Sequence, residues 1–428
     1  MANYLVVSTF EGGYQPNTAL SAATALRNAG FDSTRLLDTY VDGIPDGAFD
    51  EADVIAISMP LFDSLQAGLQ LTDQVRKANP TAIIVYFGQY ATLNAERLVG
   101  RYGDYAVVGE WEHPLVNLAR YTSGSGAALE KAGLVDPDVV ASGKVPHPYL
   151  ARNAVSVPDR SLAPSLIKYP QPQVEKLLGS GTHLIGGVEA TRGCHHKCTY
   201  CSVYAAYDGK VIMVADDIVV EDVRNLVKQG MQHLTFTDAE FFNAKNHGVR
   251  IMRRLHEEFP DLTYDFTTRV DHILEHEDAI REMAGLGLRF ITSALEFPTQ
   301  KVLDIVAKEI SVDDIEMAIR NLKAIGVKLN PTFIMYNPWV SKDDILSFKK
   351  FIERNDLEDV VDPIQYETRL HLYKGSPLLN RASTAGLKLT EREFHFDWSH
   401  PDPAVDEMYY ANVTPPEPGV FKRCCLKC

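Results

Sequence analysis

The sequence predicts an α/β chain in two parts, a doubly wound domain and then a partial (β/α)6 barrel, with an irregular extension at the C-terminus. Three observations predict it. Short apolar runs alternate with amphipathic stretches through residues 1–122 and again through 181–372. Between them, residues 123–180 carry Ser-Gly-Ser-Gly at 123–126 and then Pro146, Pro148, Pro158, Pro164, Pro170 and Pro172, which break any long helix and read as a linker. All six cysteines fall in two tight groups of three, Cys194, Cys198 and Cys201, then Cys424, Cys425 and Cys428.

In the first part, strands are expected at Tyr4–Phe10, Val54–Pro60, Ala82–Gly88 and Ala106–Gly109, with a weaker one at Ser33–Leu37. Helices are expected at Thr18–Ala29, Gln66–Ala78 and Pro114–Tyr121. Parallel strands need crossover helices, so this alternation gives a flavodoxin-like domain. No G-x-G-x-x-G follows the first strand. In the second part, strands are expected at Leu184–Ala190, His233–Thr237, Thr263–Thr267, Arg289–Leu295, Lys328–Met335 and Ile364–Leu370. Helical patterns separate them, giving about six βα units and an open barrel whose working residues stand at the C-terminal ends of its strands. Residues 373–428 read as irregular, stiffened by Pro401, Pro403, Pro415, Pro416 and Pro418.

Composition excludes several roles. A net charge of −15 argues against nucleic acid or an anionic membrane as partner. No apolar run approaches the roughly 18 residues of a membrane helix. The start, Met-Ala-Asn-Tyr-Leu-Val-Val-Ser, lacks the basic and long apolar regions of a signal peptide. A cytoplasmic location is expected, where thiols stay reduced and serve as ligands.

The mid-chain cysteines have the spacing C-x3-C-x2-C just after the first barrel strand. Three thiolates hold three irons of a [4Fe–4S] cluster and leave the fourth open. The alternative is zinc with His195 or His196 as fourth ligand, although structural zinc usually shows paired elements and no second pair is near. The tail, Arg423-Cys-Cys-Leu-Lys-Cys428, places three soft sulfurs beside two cations that favour thiolate. It suits a second cluster, a trigonal As(III), or a redox dithiol.

With Tyr200 just before the last cysteine of the motif, residues 181–372 resemble the radical S-adenosylmethionine (SAM) superfamily. That resemblance implies a [4Fe–4S] cluster on Cys194, Cys198 and Cys201, bound SAM, and an external electron donor. It also implies SAM contacts at the strand ends. Asp238 and Glu240, in Phe-Thr-Asp-Ala-Glu-Phe-Phe-Asn243, would accept from the SAM ammonium, the alternatives being a helix cap and a solvated side chain. Arg269 would pair with the carboxylate, or form a structural ion pair. Glu296 would hold the ribose. Met335-Tyr-Asn-Pro338 stands where the family often has Gly-x-Pro.

Residues 1–122 resemble the cobalamin-binding-like domain that precedes many such barrels. The first histidine is His113, so the Asp-x-His-x-x-Gly cobalt ligand is absent and the domain either binds cobalamin or serves as a scaffold. The tail matches the RCCLKC-tail radical SAM proteins, and the whole chain is similar to the radical SAM proteins of arsinothricin biosynthesis. This resemblance implies transfer of the 3-amino-3-carboxypropyl group of SAM to arsenite, with Cys424, Cys425 and Cys428 holding As(III). Two other readings stand beside it. One is an enzyme generating a 5′-deoxyadenosyl radical, with an auxiliary cluster on the tail, that modifies a peptide or small metabolite. The other is a thiol-based metalloid carrier.

Overall fold

The computed structural model describes residues 3–124, 126–151, 155–179, 181, 183–381 and 384–413. The tail cysteines Cys424, Cys425 and Cys428 lie outside the described residues. No helix among the described residues is long and apolar enough to cross a membrane.

The N-terminal sheet has strands β1 Tyr4–Ser8, β2 Arg35–Asp38, β3 Val54–Ser58, β4 Ile83–Phe87 and β5 Tyr105–Val107, all parallel. A short β6, Leu134–Val135, runs antiparallel to β5. The order is β2-β1-β3-β4-β5-β6, so the winding reverses between β1 and β3. Tyr-Leu-Val-Val-Ser and Val-Ile-Ala-Ile-Ser are buried on both faces, as central parallel strands must be. Helices Asn17–Asn28 and Glu112–Thr122 cover one face through Ala19, Ala22, Ala23, Leu115 and Leu118. Helices Phe62–Ala78 and Gln89–Leu98 cover the other through Leu65, Leu71, Val75 and Ala91. Helix Gln89–Leu98 was not expected. It begins on Gly88, whose φ of +99° turns the chain sharply out of β4.

The linker is a strap that binds both halves. Asp159 N–H donates to Thr24 Oγ1 at 2.9 Å, and Tyr169 donates to Asp38 Oδ2 at 2.6 Å. Arg160 is buried between the halves, pairing with Asp222 at 2.7 Å and donating to Gly187 O at 3.0 Å.

Beyond it, β7 Ile185–Val188 leads into a separate antiparallel ribbon of β8 Thr191–Gly193 and β9 Val211–Met213. The sheet continues with β10 His233–Phe236, β11 Thr263–Thr267, β12 Leu288–Glu296 and β13 Lys328–Phe333, parallel and in the order β13-β12-β11-β10-β7. The sixth expected strand, Ile364–Leu370, is a correction: Pro363–Tyr366 forms a 3-10 turn, and only Arg369 bridges to Tyr336. Side chains replace the missing ladder, Gln365 Oε1 accepting from Phe333 N–H at 2.7 Å and Thr368 Oγ1 from Met335 N–H at 2.9 Å.

The extension is also more regular than expected. Strands β14 Leu372–Tyr373, β15 Lys388–Glu391 and β16 His395–Ser399 form an antiparallel sheet, and helix Pro403–Asn412 follows. Its sheet reaches back to the N-terminal domain, where His371 packs on Phe62 with ring centroids 4.0 Å apart and Tyr102 donates to Glu393 at 2.6 Å. Arg369 lies between Trp398 and Tyr409, 3.8 and 4.5 Å from their ring centroids, and pairs with Asp406 at 2.9 Å. Asn412 donates to the Tyr336 hydroxyl at 2.9 Å, so the last described helix ends over the loop that leaves the C-terminal end of β13.

Candidate functional site

The cysteine loop begins at the β8 ribbon. Asp238, just past β10, accepts from Ala190 N–H at 3.0 Å and from the Thr191 hydroxyl at 2.6 Å. Its carboxylate therefore braces the ribbon, while the expected role was acceptor for a SAM ammonium. Gly193 follows with φ +84°, and a Cβ there would meet Lys210 O at 2.2 Å, so only glycine fits the turn into Cys194. Cys194, Cys198 and Cys201 are free thiols, the first two buried and the third half-buried. Residues far along the chain hold the loop. Tyr373 donates to Cys201 O at 2.8 Å, while Ser376 Oγ and Leu378 N–H donate to Thr199 O at 3.1 and 3.3 Å.

Arg269 stands over this loop. It donates to Cys198 Sγ at 3.2 Å, to Lys308 O at 2.7 Å, and pairs with Asp271 at 2.9 Å. Glu240 is buried and saturated, accepting from Arg269 N–H at 2.8 Å, Phe242 N–H at 3.2 Å, the Thr268 hydroxyl and His272 Nδ1. It organises the end of β11. Glu296 closes β12 at a bulge, with φ +60°, which turns its carboxylate into the site. There it takes Lys308 Nζ at 2.7 Å and the Tyr200 hydroxyl on the same oxygen. The structure therefore brings Cys198, Tyr200, Arg269, Glu296 and Lys308 together. Lys308 carried no sequence signal. The His195 and His196 rings lie tilted with centroids 4.3 Å apart, and no three His, Cys, Asp or Glu side chains among the described residues converge as ligands of one ion. Burial pushes the Cys194 thiol up and the Cys201 thiol up to about 12, the neighbouring cysteine sulfurs adding to both. Burial and then the Arg269 charge push His196 down to about 4.

A second cluster of charge lies where the two halves meet. Arg192 of β8 is buried, and its guanidinium pairs with Glu110 and Glu112, each at 2.8 Å, and with Glu189 at 2.9 Å. Nearby, a cleft of ≈ 120 Å3 opens between the ends of the N-terminal strands and the barrel, lined by Glu11, Asn17, Gln89, Arg192 and Thr237 among others. Burial pushes the Glu110 carboxyl up to about 7, against the pull of Arg192. A carboxyl raised on folding binds its proton more tightly in the folded chain. Its stabilising contribution is thus present at acid pH and lost as pH rises through about 7. Glu110→Gln, which keeps one acceptor for Arg192, should flatten the decline in urea resistance between about pH 5 and pH 8. An unchanged slope in denaturation midpoints would assign that decline elsewhere.

Comparison with known proteins identifies the family of each half. Residues 4–119 match the B12 binding domain and residues 188–352 match the radical SAM superfamily. The chain joins a B12-binding domain to a radical SAM domain. Hopanoid C-3 methylase from Methylococcus capsulatus is 22% identical over 324 residues, covering 74% of this chain and 60% of that protein. An uncharacterised methyltransferase from Pyrococcus horikoshii is 21% identical over 291 residues, covering 66% and 60%. The chain thus spans about 60% of the length of these curated relatives. Among solved structures, the cobalamin-dependent S-adenosylmethionine radical enzyme OxsB, with aqua-cobalamin bound, aligns at TM-score 0.72 and 16% identity, over 96% of this chain and 66% of that one. The radical SAM methyltransferase TsrM from Kitasatospora setae, with cobalamin and a [4Fe–4S] cluster bound, aligns at 0.70 and 16% identity, over 97% and 92%. At such identities the likeness is one of fold.

A radical SAM domain implies a [4Fe–4S] cluster and SAM, and the residues present fit them. The donor set is three reduced thiols, one under a guanidinium, with no fourth thiol among the described residues, which leaves one iron of a cube open. The B12-binding domain makes cobalamin a plausible ligand of the N-terminal half. The cleft between that domain and the radical SAM domain, at ≈ 120 Å3, is smaller than the roughly 300–1,000 Å3 of ordinary ligand pockets. Glu11, Asn17, Gln89 and Thr237 are the polar groups that a ligand of the N-terminal half would meet there.

Proposed function

We propose that this chain is a radical SAM enzyme that transfers the 3-amino-3-carboxypropyl group of SAM to arsenite, forming the carbon–arsenic bond of the arsinothricin series. The observation that carries the reading is the tail, Arg423-Cys-Cys-Leu-Lys-Cys428. Three thiolates within five residues suit trigonal As(III), which needs no fourth ligand. The anchoring of Asn412 beyond the end of β13 supports it, because the last described helix then ends at the face of the barrel where the strand ends gather.

When bound, the cluster supplies one electron to open a carbon–sulfur bond of the SAM sulfonium. In the overall balance, the carbon–sulfur bond on the amino-acid side and one arsenic–oxygen bond break, and one carbon–arsenic bond forms. SAM, arsenous acid, two electrons from an external low-potential donor and one proton give the aminocarboxypropyl arsonous acid, methylthioadenosine and water. Arg269 would hold the SAM carboxylate, exchanging part of its pairing with Asp271. Glu296, fixed by Lys308 and Tyr200, would hold the ribose hydroxyls. The saturated Glu240 and Asp238 would keep β10 and β11 in register with the cysteine loop.

The test is anaerobic turnover of the reconstituted chain with SAM and reductant, with and without arsenite, read by mass. Methylthioadenosine together with an arsenic-bearing aminobutyrate is expected. Replacing Cys424, Cys425 and Cys428 together by serine should leave SAM cleavage but remove the arsenic product. Formation of 5′-deoxyadenosine with arsenite untouched overturns the reading.

The B12-binding domain and the methylase relatives favour a second reading, cobalamin-dependent methyl transfer. It requires cobalt to copurify or bind, and a methylated product with S-adenosylhomocysteine. The same mass measurement, repeated with added hydroxocobalamin, separates the two.

A further inference from the structure

The B12-binding half meets the far end of the cysteine loop through Gln89, which donates to Ser202 at 2.5 Å, and it grips the entry to that loop with buried charge. The grip is Arg192, two residues before Cys194. Its partners come from both halves. Glu110 lies in the turn after β5, Glu112 opens helix Glu112–Thr122, Ser21 Oγ lies 3.3 Å away on helix Asn17–Asn28, and Glu189 lies on its own side of the interface. Its guanidinium also lies 4.2 Å from the Trp111 ring centroid, and the Trp111 indole donates to the same Ser21 at 2.9 Å. Arg192, Trp111, Glu110 and Glu112 are all buried.

A lone arginine needs one carboxylate to justify burial, and this one has three. Glu110 Oε1 and Glu112 Oε2 have no hydrogen-bond partner at all. The acids therefore cost more than charge neutrality requires, and what they achieve is direction: they fix the plane of one guanidinium. Backbone geometry transmits that plane to the loop. Arg192 pairs with Ile212 and Gly193 with Val211 in the ribbon, and Gly193, which tolerates no Cβ, turns straight into Cys194. Asp238 holds the same ribbon from the barrel side, so the loop entry is gripped by each half in turn.

We propose that Arg192 is a positioning residue that couples the seating of the B12-binding domain to the placement of Cys194, and so of the cluster that this loop would hold. The proposal rests on the radical SAM assignment but not on arsenic. It gives the N-terminal domain a part in the reaction that requires no cobalamin. A second buried ion pair, Arg160 with Asp222, joins the strap to helix Asp216–Lys228 and touches no residue of the cysteine loop. Arg160 also donates to Gln15 of the N-terminal half at 3.3 Å, so it spans the halves through the strap and is the control for general weakening of the interface.

The experiment uses the full reconstituted chain with Arg192→Met, Arg192→Lys and Arg160→Lys. Four quantities are read without arsenite: iron per chain, the electron paramagnetic resonance spectrum of the reduced cluster with and without SAM, kcat and KM for SAM cleavage, and the ratio of methylthioadenosine to 5′-deoxyadenosine. Arg192→Met should keep iron yet lose the spectral response to SAM. It should lower kcat about a hundred-fold, the cost of misplacing a reacting group by roughly 1 Å. Its cleavage ratio should shift, and Arg192→Lys should restore part of each change. Arg160→Lys should alter neither spectrum nor ratio. If Arg192→Met does not fold, Arg192→Lys and Glu112→Gln carry the same readouts. An unchanged SAM response and ratio in the Arg192 variants, or equal changes in Arg160→Lys, overturns the proposal. Because no readout involves arsenite, loss of the arsenic reading leaves this result standing.

Discussion

Cys198→Ala is expected to abolish SAM cleavage while leaving the fold intact. Cys198 is the thiol under Arg269, and it sits between Cys194 and Cys201 on a loop that Tyr373, Ser376 and Leu378 hold by backbone contacts independent of any thiol. Removing one sulfur leaves two ligands for a cube that needs three. Reconstituted protein should carry about four irons per chain, or about eight if the tail holds a second cluster, and the variant should lose about four. Both methylthioadenosine and 5′-deoxyadenosine should fall below detection. Its circular dichroism should match the parent, since the replaced side chain is small and the loop is pinned elsewhere. A variant that kept its iron and still cleaved SAM would remove these cysteines from the chemistry and return the zinc alternative.

Lys308→Met is expected to have the largest effect on stability. Lys308 and Glu296 are 3% and 2% exposed, with their charges 2.7 Å apart. Breaking a buried pair by removing one partner strands the other charge, at a cost of about 3–5 kcal/mol. The loss should appear as an earlier urea midpoint at neutral pH. It should be largely recovered by adding Glu296→Gln, because the double variant buries no orphan charge. The single variant should also weaken SAM binding, since Glu296 loses the cation that fixes it at the β12 bulge. Equal destabilisation in single and double variants would show that packing around Lys308, rather than its charge, holds the site.

The central parallel strands of the first sheet were legible because burial on both faces leaves nearly unbroken apolar runs, as in Tyr4–Ser8 and Val54–Ser58. Ile364–Leu370 misled for a physical reason. Its residues run beside β13 as a strand would, but Gln365 and Thr368 satisfy the neighbouring backbone with side chains, a substitution that periodicity does not reveal. The cysteines were legible because their spacing is local. Arg192 was not, because its partners Glu110 and Glu112 lie 82 and 80 residues away. Lys308 was missed because lysine is almost always solvated, and only the tertiary fold shows this one buried against Glu296. Asp238 and Glu240 were found by position. The structure adds internal bonds at both that sequence spacing cannot count.

The clamp on the cysteine loop has a consequence for how the protein is made. Tyr373 reaches back 172 residues to Cys201, and Ser376 reaches 177 back to Thr199. As the chain leaves the ribosome, the N-terminal domain and all three cysteines emerge well before the residues that close over them. During that interval the thiols are presented on an open hairpin that a delivery protein or free iron can reach. Once translation is complete, Cys194 and Cys198 are buried and Cys201 is half-buried. Expression conditions that starve the growing chain of iron and sulfide should therefore yield folded, empty protein that loads slowly afterwards. Brief, mild unfolding of residues 372–399 should hasten its loading.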